Sequence, residues 1–230
     1  MIVLYSYPDL FGLPDNNPFG LKVWAFLRLV GLPFRHEHIF DAKGAPRGQL
    51  PYIEEEGKIV GDSDAIIAHL IARHRLTIDD ALSDAQRDTA YLIRRMLDGL
   101  YWVMSYSRWK DPTYWQLFRD ALLRTHARLT EADLDAARAY NEQRYYYQGI
   151  GRYEPAEVYA RGVADLRVLA NLLGSRRFLF GDAPTSADAG AYGFLANIHF
   201  YDIPTPLRSF ISSHGALADY CVRMHAAVTK

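Results

Sequence analysis

Cysteine is nearly absent from this chain of 230 residues: Cys221 is the only one. No intramolecular disulfide can form, which fits a reducing compartment and an expected cytoplasmic location. No stretch of 18 apolar residues occurs, so no membrane span is expected, and the N-terminus lacks the basic, apolar and small-residue succession of a signal peptide. An excess of charge of one sign is missing too. The formal net charge is −1, which gives no electrostatic ground for nucleic acid or an anionic membrane as partner. The eight histidines are scattered, and His36 and His38 alternate on a strand without cysteine partners, so no metal constellation is expected. Gly44-Ala-Pro-Arg-Gly48 has neither the lysine nor the helix context of a phosphate loop. Repeats and low-complexity tracts are absent. What remains is half hydrophobic and 13% aromatic, enough to bury roughly 70–75% of the unfolded surface without metal or disulfide.

The strand patterns lie in the first third. Ile2 to Tyr7 and Phe34 to Phe40 read as strands, with a helix from Pro18 to Val30 between them. Asn17 is a good N-cap, Pro18 suits the first helical position and Gly31 stops the helix. Asp41 to Gln49 is a polar loop. Tyr52 to Glu55 and Lys58 to Val60 flank Glu56-Gly57 as a hairpin. Asp62 or Ser63 can then cap a helix carrying Ile66, Ile67, Leu70 and Ile71. Pro51 precedes the first hairpin strand, where its missing N–H breaks no ladder bond.

Beyond Leu76 strand patterns vanish. Helices are expected over Asp84–Lys110, Thr113–Thr130, Glu131–Tyr147, Pro155–Leu173, Thr185–Phe200, Pro204–Ser212 and Leu217–Val228. Thr185-x-x-Asp188 is a capping box. The expected layout is a small α/β domain at 1–76, a linker at 77–83 and an all-helical domain at 84–230.

Leu50-Pro51-Tyr52-Ile53, the acidic turn, and Asp62-Ser63 before Ile66-Ile67-x-x-Leu70 together resemble the second half of the glutathione transferase N-terminal domain. The likeness is greatest to the branch holding the metaxins and the failed-axon-connections proteins, which has bacterial members. Phe180-Gly-Asp-Ala-Pro-Thr-Ser-Ala-Asp188 and Leu217 to Met224 resemble two helices of that family's C-terminal domain; Asp111 to Arg152 is the least recognisable part. The resemblance implies a thioredoxin-like fold followed by an all-α domain, a homodimer, and glutathione as co-substrate in detoxification. It also implies a cis-proline at Pro51, with the Leu50 backbone presented to the cysteinyl unit. Asp62 would pair with the γ-glutamyl ammonium and Ser63 with its carboxylate. Lys43, Arg47 and Gln49 are candidates for the glycyl carboxylate.

Activation of the thiol is a separate matter. A glutathione thiol has a pKa of about 8.5, and a hydrogen-bond donor or a helix N-terminus lowers it. Asn17 stands where the branch usually carries Ser or Cys. It can cap its helix, donate to the sulfur from its amide, or do both. Tyr7, near the end of the first strand, is the other candidate donor, as in tyrosine-type transferases; Tyr5 shares its face, and either can be simple packing. Without cysteine at position 17, thioltransfer and dehydroascorbate reduction are not expected, whereas conjugation is. Tyr101, Tyr106 and Trp109, with Arg108, are candidates to line an electrophile pocket, over which Tyr145 to Tyr147 could close. The expected function is conjugation of glutathione thiolate to a small hydrophobic electrophile, an epoxide or activated halide. The alternative is a non-catalytic, metaxin-type binding module.

Overall fold

The computed structural model describes all residues from Met1 to Lys230. Four strands, β1 (Ile2–Ser6), β2 (Phe34–His38), β3 (Tyr52–Glu55) and β4 (Lys58–Gly61), form one sheet in the order β2-β1-β3-β4. β1 runs parallel to β2 and antiparallel to β3, with Leu4 opposite His36 and Ile53. A parallel pair needs a crossover, and α1 (Pro18–Leu29) supplies it. The hairpin β3–β4 turns through Glu56 and Gly57, both at positive φ. α2 (Ser63–His74) follows at once. Leu50–Pro51 is cis.

The rest is helical: α3 (Asp84–Trp109), α4 (Pro112–Thr125), α5 (Glu131–Gln148), α6 (Pro155–Leu173), α7 (Ser186–His199), α8 (Pro206–Ser213) and α9 (Gly215–Val228). No helix is long and apolar enough to cross a membrane. The helix starts follow their caps. Asn17 Oδ1 accepts from Phe19 N at 3.0 Å, Asp62 Oδ1 accepts from Asp64 N and Ala65 N, and capping boxes open α3, α5 and α7.

Several boundaries differ from the sequence reading, α8 and α9 starting at Pro206 and Gly215 among them, and two differences have a visible cause. β2 ends at His38, not Phe40, because its partner β1 leaves the sheet at Tyr7-Pro8; the last bond is Ile39 N to Ser6 O at 2.8 Å. α4 ends at Thr125, not Thr130. Thr130 caps α5 instead, and His126 reaches across to the Asp9 carbonyl at 2.7 Å.

α7 is buried along its length, from Ala187 to Ile198, and lies directly against α1. A Cβ at Gly193 would stand 2.5 Å from the Pro18 carbonyl oxygen and 2.9 Å from Lys22 N. Glycine there lets the two backbones touch. The Asp188 carboxylate, fully buried at the start of α7, accepts from Leu179 N (2.9 Å), Thr185 N (2.8 Å), the Thr185 hydroxyl (2.8 Å) and the Tyr220 hydroxyl (3.0 Å). One apolar cluster runs from Leu4, Phe26 and Ile53 in the sheet half to Phe118, Phe194 and Met224 among the helices. The seam between the halves is therefore core on one side and cleft on the other.

Candidate functional site

That cleft has a volume of about 880 Å³. Its sheet-side wall carries Tyr7, Asn17, Phe40 and Lys43; its helical wall carries Tyr101, Arg108, Trp109, Tyr140 and Arg144.

On the sheet side, three residues before α1 are clamped in place. Asn16 N donates to the Pro8 carbonyl at 2.9 Å. The Asn16 carbonyl accepts from Arg108 Nη1 at 2.8 Å and from the Tyr201 hydroxyl at 3.0 Å. Asn17 N donates to Asp15 Oδ1 at 2.6 Å. Asn17 is thus fixed by its neighbours, its Oδ1 is used as the helix cap, and its amide NH₂ has no acceptor within the protein. The Tyr7 hydroxyl also has none. Burial, with the Tyr101 and Asp15 charges adding to it, pushes the Tyr7 phenol up to about 12. At neutral pH it is a hydrogen-bond donor and never a base.

Asp15 and Arg108 lie beneath this segment. Both are buried, at 0% and 6% exposure. Burial raises the Asp15 carboxyl well above the usual carboxylate range, and its Oδ2 has no partner. Arg108 donates to backbone and amide oxygens of Asn16 and Asn197 and lies over the Tyr201 ring at 4.1 Å. A guanidinium with carbonyl partners alone keeps its full positive charge, and that charge sits on the cleft wall that Asn17 shares.

The candidate residues separate into two groups. Asn17, Tyr7, Lys43, Tyr101 and Trp109 share the cleft. Leu50, Pro51, Gln49, Asp62 and Ser63 lie outside its lining, around the start of α2. The Leu50 N–H and C=O have no hydrogen-bond partner in the chain, while Ser63 is buried and accepts from Lys22 Nζ at 3.2 Å. Lys22 also pairs with Asp64. Asp62 caps α2, and its Oδ2 lies 3.6 Å from Arg47. Arg47 is therefore turned to Asp62 rather than standing free for a glycyl carboxylate. Lys43 is almost wholly exposed and lies 3.5 Å from Asp41.

Tyr106 does not line the cleft. It is 3% exposed and packs against Tyr145 and Tyr159 in the core, at centroid distances of 6.1 and 6.3 Å. At about 100° per residue, Tyr101, Met104, Ser105, Arg108 and Trp109 share one face of α3, and position 106 falls on another. Nor do Tyr145 to Tyr147 close over the cleft. Tyr145 is buried on Ser105, whereas Tyr146 and Tyr147 point to solvent. The α5 wall is instead Leu134, Tyr140, Asn141 and Arg144. Lys22 went unnoticed in the sequence, although it had a signal: it lies between Pro18 and Phe26 on the buried face of α1. Asp15, Asn197 and Tyr201 had none, because only the packed fold brings them together.

Comparison with known proteins then decides the family. Residues 18–114 match the family model for the glutathione S-transferase N-terminal domain, and residues 162–224 that for the C-terminal domain. An isoprene-epoxide glutathione S-transferase from Rhodococcus sp. (strain AD45) is 30% identical, covering 97% of this chain and 98% of the relative. The chain belongs to the glutathione S-transferase superfamily. Failed axon connections of Drosophila melanogaster is 33% identical over 92% of this chain, which spans only 54% of that relative's length. Metaxin-1 of Bos taurus is 26% identical, over 96% of this chain and 73% of its own. Both place this member of the superfamily with the metaxin-like branch. Among solved structures, a beta-etherase from Sphingobium sp. strain SYK-6 superposes with a TM-score of 0.66 at 18% identity, covering 99% of this chain and 96% of its own. A Ceriporiopsis subvermispora glutathione S-transferase solved in complex with glutathione gives 0.63 at 17%, covering 100% and 98%. The fold is that of a glutathione transferase.

Proposed function

We propose that this chain is a glutathione transferase that joins glutathione thiolate to a small hydrophobic electrophile of the epoxide or activated-halide class. The observation that carries this is the pair of unpartnered donors, the Asn17 amide and the Tyr7 hydroxyl, opening into a cleft whose far wall is aromatic. A sulfur placed there would receive hydrogen bonds that favour its anionic form, beside the N-terminus of α1 and the buried Arg108 charge. The Leu50 backbone groups, Ser63 and Asp62 would anchor the tripeptide, with Lys43 and Gln49 at its glycyl end. The thiolate then forms a carbon–sulfur bond while a carbon–oxygen or carbon–halogen bond breaks, and the departing oxygen or halide takes the electron pair. The Rhodococcus relative, named for an isoprene epoxide, supports the epoxide class. The reading carries with it a cytoplasmic homodimer serving detoxification.

Ultraviolet titration of the bound thiol, alongside conjugation of a nitrophenoxy epoxide, tests the proposal. A bound-thiol pKa at least one unit below the value in solution, with epoxide turnover, is the expected result. An unshifted thiol without turnover removes Asn17 and Tyr7 from any mechanism.

Three observations favour the alternative, a non-catalytic binding module of the metaxin kind. The Ser63 hydroxyl is engaged by Lys22, Asp62 is engaged by its own helix and Arg47, and asparagine stands at position 17. Absence of glutathione binding separates this reading from the first.

A further inference from the structure

Three arginines line the cleft, Arg108, Arg128 and Arg144, and no carboxylate lies within 4.0 Å of any of them. The two acidic residues of the same lining are taken elsewhere: Asp41 lies 3.5 Å from Lys43, and Asp133 is bound into the capping box of α5 by Thr130. The cleft therefore carries spare positive charge. Arg108 spends its donors on carbonyls, and Arg128 lies exposed at the mouth over the Phe40 ring at 3.5 Å.

Arg144 differs from both. It is half-buried on α5, and Nη1 alone is engaged, with Asn141 Oδ1 at 3.0 Å and the Tyr101 hydroxyl at 3.5 Å. Its Nε and Nη2 have no acceptor in the protein. Those two N–H groups form the edge of a guanidinium that grips a carboxylate through two parallel hydrogen bonds. Its guanidinium carbon lies 5.1, 5.7 and 5.9 Å from the ring centroids of Trp102, Tyr140 and Tyr101. A partly desolvated cation, oriented by neighbours and lacking a counter-ion, fits an anionic ligand group. Arg144 lines the same cleft as Tyr7 and Asn17, so it shares the space in which the sulfur would lie.

We propose that the second substrate carries a carboxylate, held by the Nε–Nη2 edge of Arg144, so that among small hydrophobic epoxides and halides those bearing an acid group are preferred over their neutral counterparts, which still turn over. This rests on the transferase reading and narrows its substrate class. The test is calorimetric titration of the full chain with glutathione, S-(4-carboxybenzyl)glutathione and its neutral isostere S-(4-carbamoylbenzyl)glutathione, and separately with 2-naphthoate and 2-naphthamide. The carboxylate conjugate binds about tenfold more tightly than the carbamoyl one, the gain of a charge-assisted pair. Arg144→Gln abolishes that ratio and leaves glutathione affinity unchanged. Arg144→Lys keeps the charge but loses the fork, and cuts the ratio to about two- or threefold. Equal affinity for the two conjugates, or a preference that survives Arg144→Gln, overturns the proposal. So does a matching loss of glutathione affinity in Arg144→Gln, which would make Arg144 an anchor for the tripeptide. If neither glutathione nor its conjugates bind while naphthoate outbinds naphthamide through Arg144, the transferase reading fails and the carboxylate site stands.

Discussion

Ser63 is engaged in the fold and is at the same time proposed to hold a ligand. Its hydroxyl, 6% exposed, accepts from Lys22, yet a hydroxyl oxygen with a cation behind it can still donate its own hydrogen to a carboxylate. Ser63→Ala should weaken glutathione binding by about 1–2 kcal/mol, the worth of a hydrogen bond to a charged group. Unchanged affinity by calorimetry would reduce Ser63 to a support for Lys22. Tyr7 is the simpler test of the proposed role, because its hydroxyl makes no bond within the protein and lines the cleft. Tyr7→Phe should raise the pKa of bound glutathione by about one unit, equivalent to ~1.4 kcal/mol, with the fold intact; a thiol pKa that does not move would leave activation to Asn17 and the α1 terminus. Asn17→Ala should show two effects at once, a loss of about 1 kcal/mol in urea unfolding from the missing cap and a higher thiol pKa.

The elements were mostly legible in the sequence, because each start is written locally: Asn17-Pro18 for α1, Asp62-Ser63 for α2, Thr185 with Asp188 for α7. Where local signs are weak the sequence and the structure part. The stretch from His126 to Leu129 has the composition of a helix, but Thr130 begins a new one. Tyr106 is expected on the cleft beside Tyr101 and Trp109, but the helical period turns it onto another face of α3 and into the core. The clamp on Asn16 could not be read at all, since Arg108 lies 92 residues away along the chain. The approach of α1 and α7 is likewise invisible until the fold is formed. Gly193→Ala should cost about 1–3 kcal/mol, because its methyl would press on the Pro18 carbonyl and the Lys22 backbone. Chemical denaturation measures it, and a neutral result would mean that the two helices can separate without loss.

At the scale of the molecule, Arg108 and Tyr201 tie the helical half to the sheet half through the Asn16 carbonyl, next to the buried Asp15. Burial raises the Asp15 carboxyl in the folded chain, so the folded state holds that proton more tightly than the unfolded state, where the pKa is about 3.9. The stability that Asp15 contributes is complete below that value and is lost as pH rises through the raised one. Asp15→Asn should therefore gain on the wild type as pH increases, in urea unfolding followed from pH 4 upward on the scale of about one tenfold factor per unit shift; a difference constant with pH would contradict the buried-acid assignment. Below this seam lies the cleft with its two free donors, where the proposed function seats the thiol of glutathione. Calorimetric titration of the full chain with glutathione tests that claim most directly. Saturable binding at sub-millimolar to millimolar concentration is the predicted result, and no heat of binding at several millimolar would contradict it.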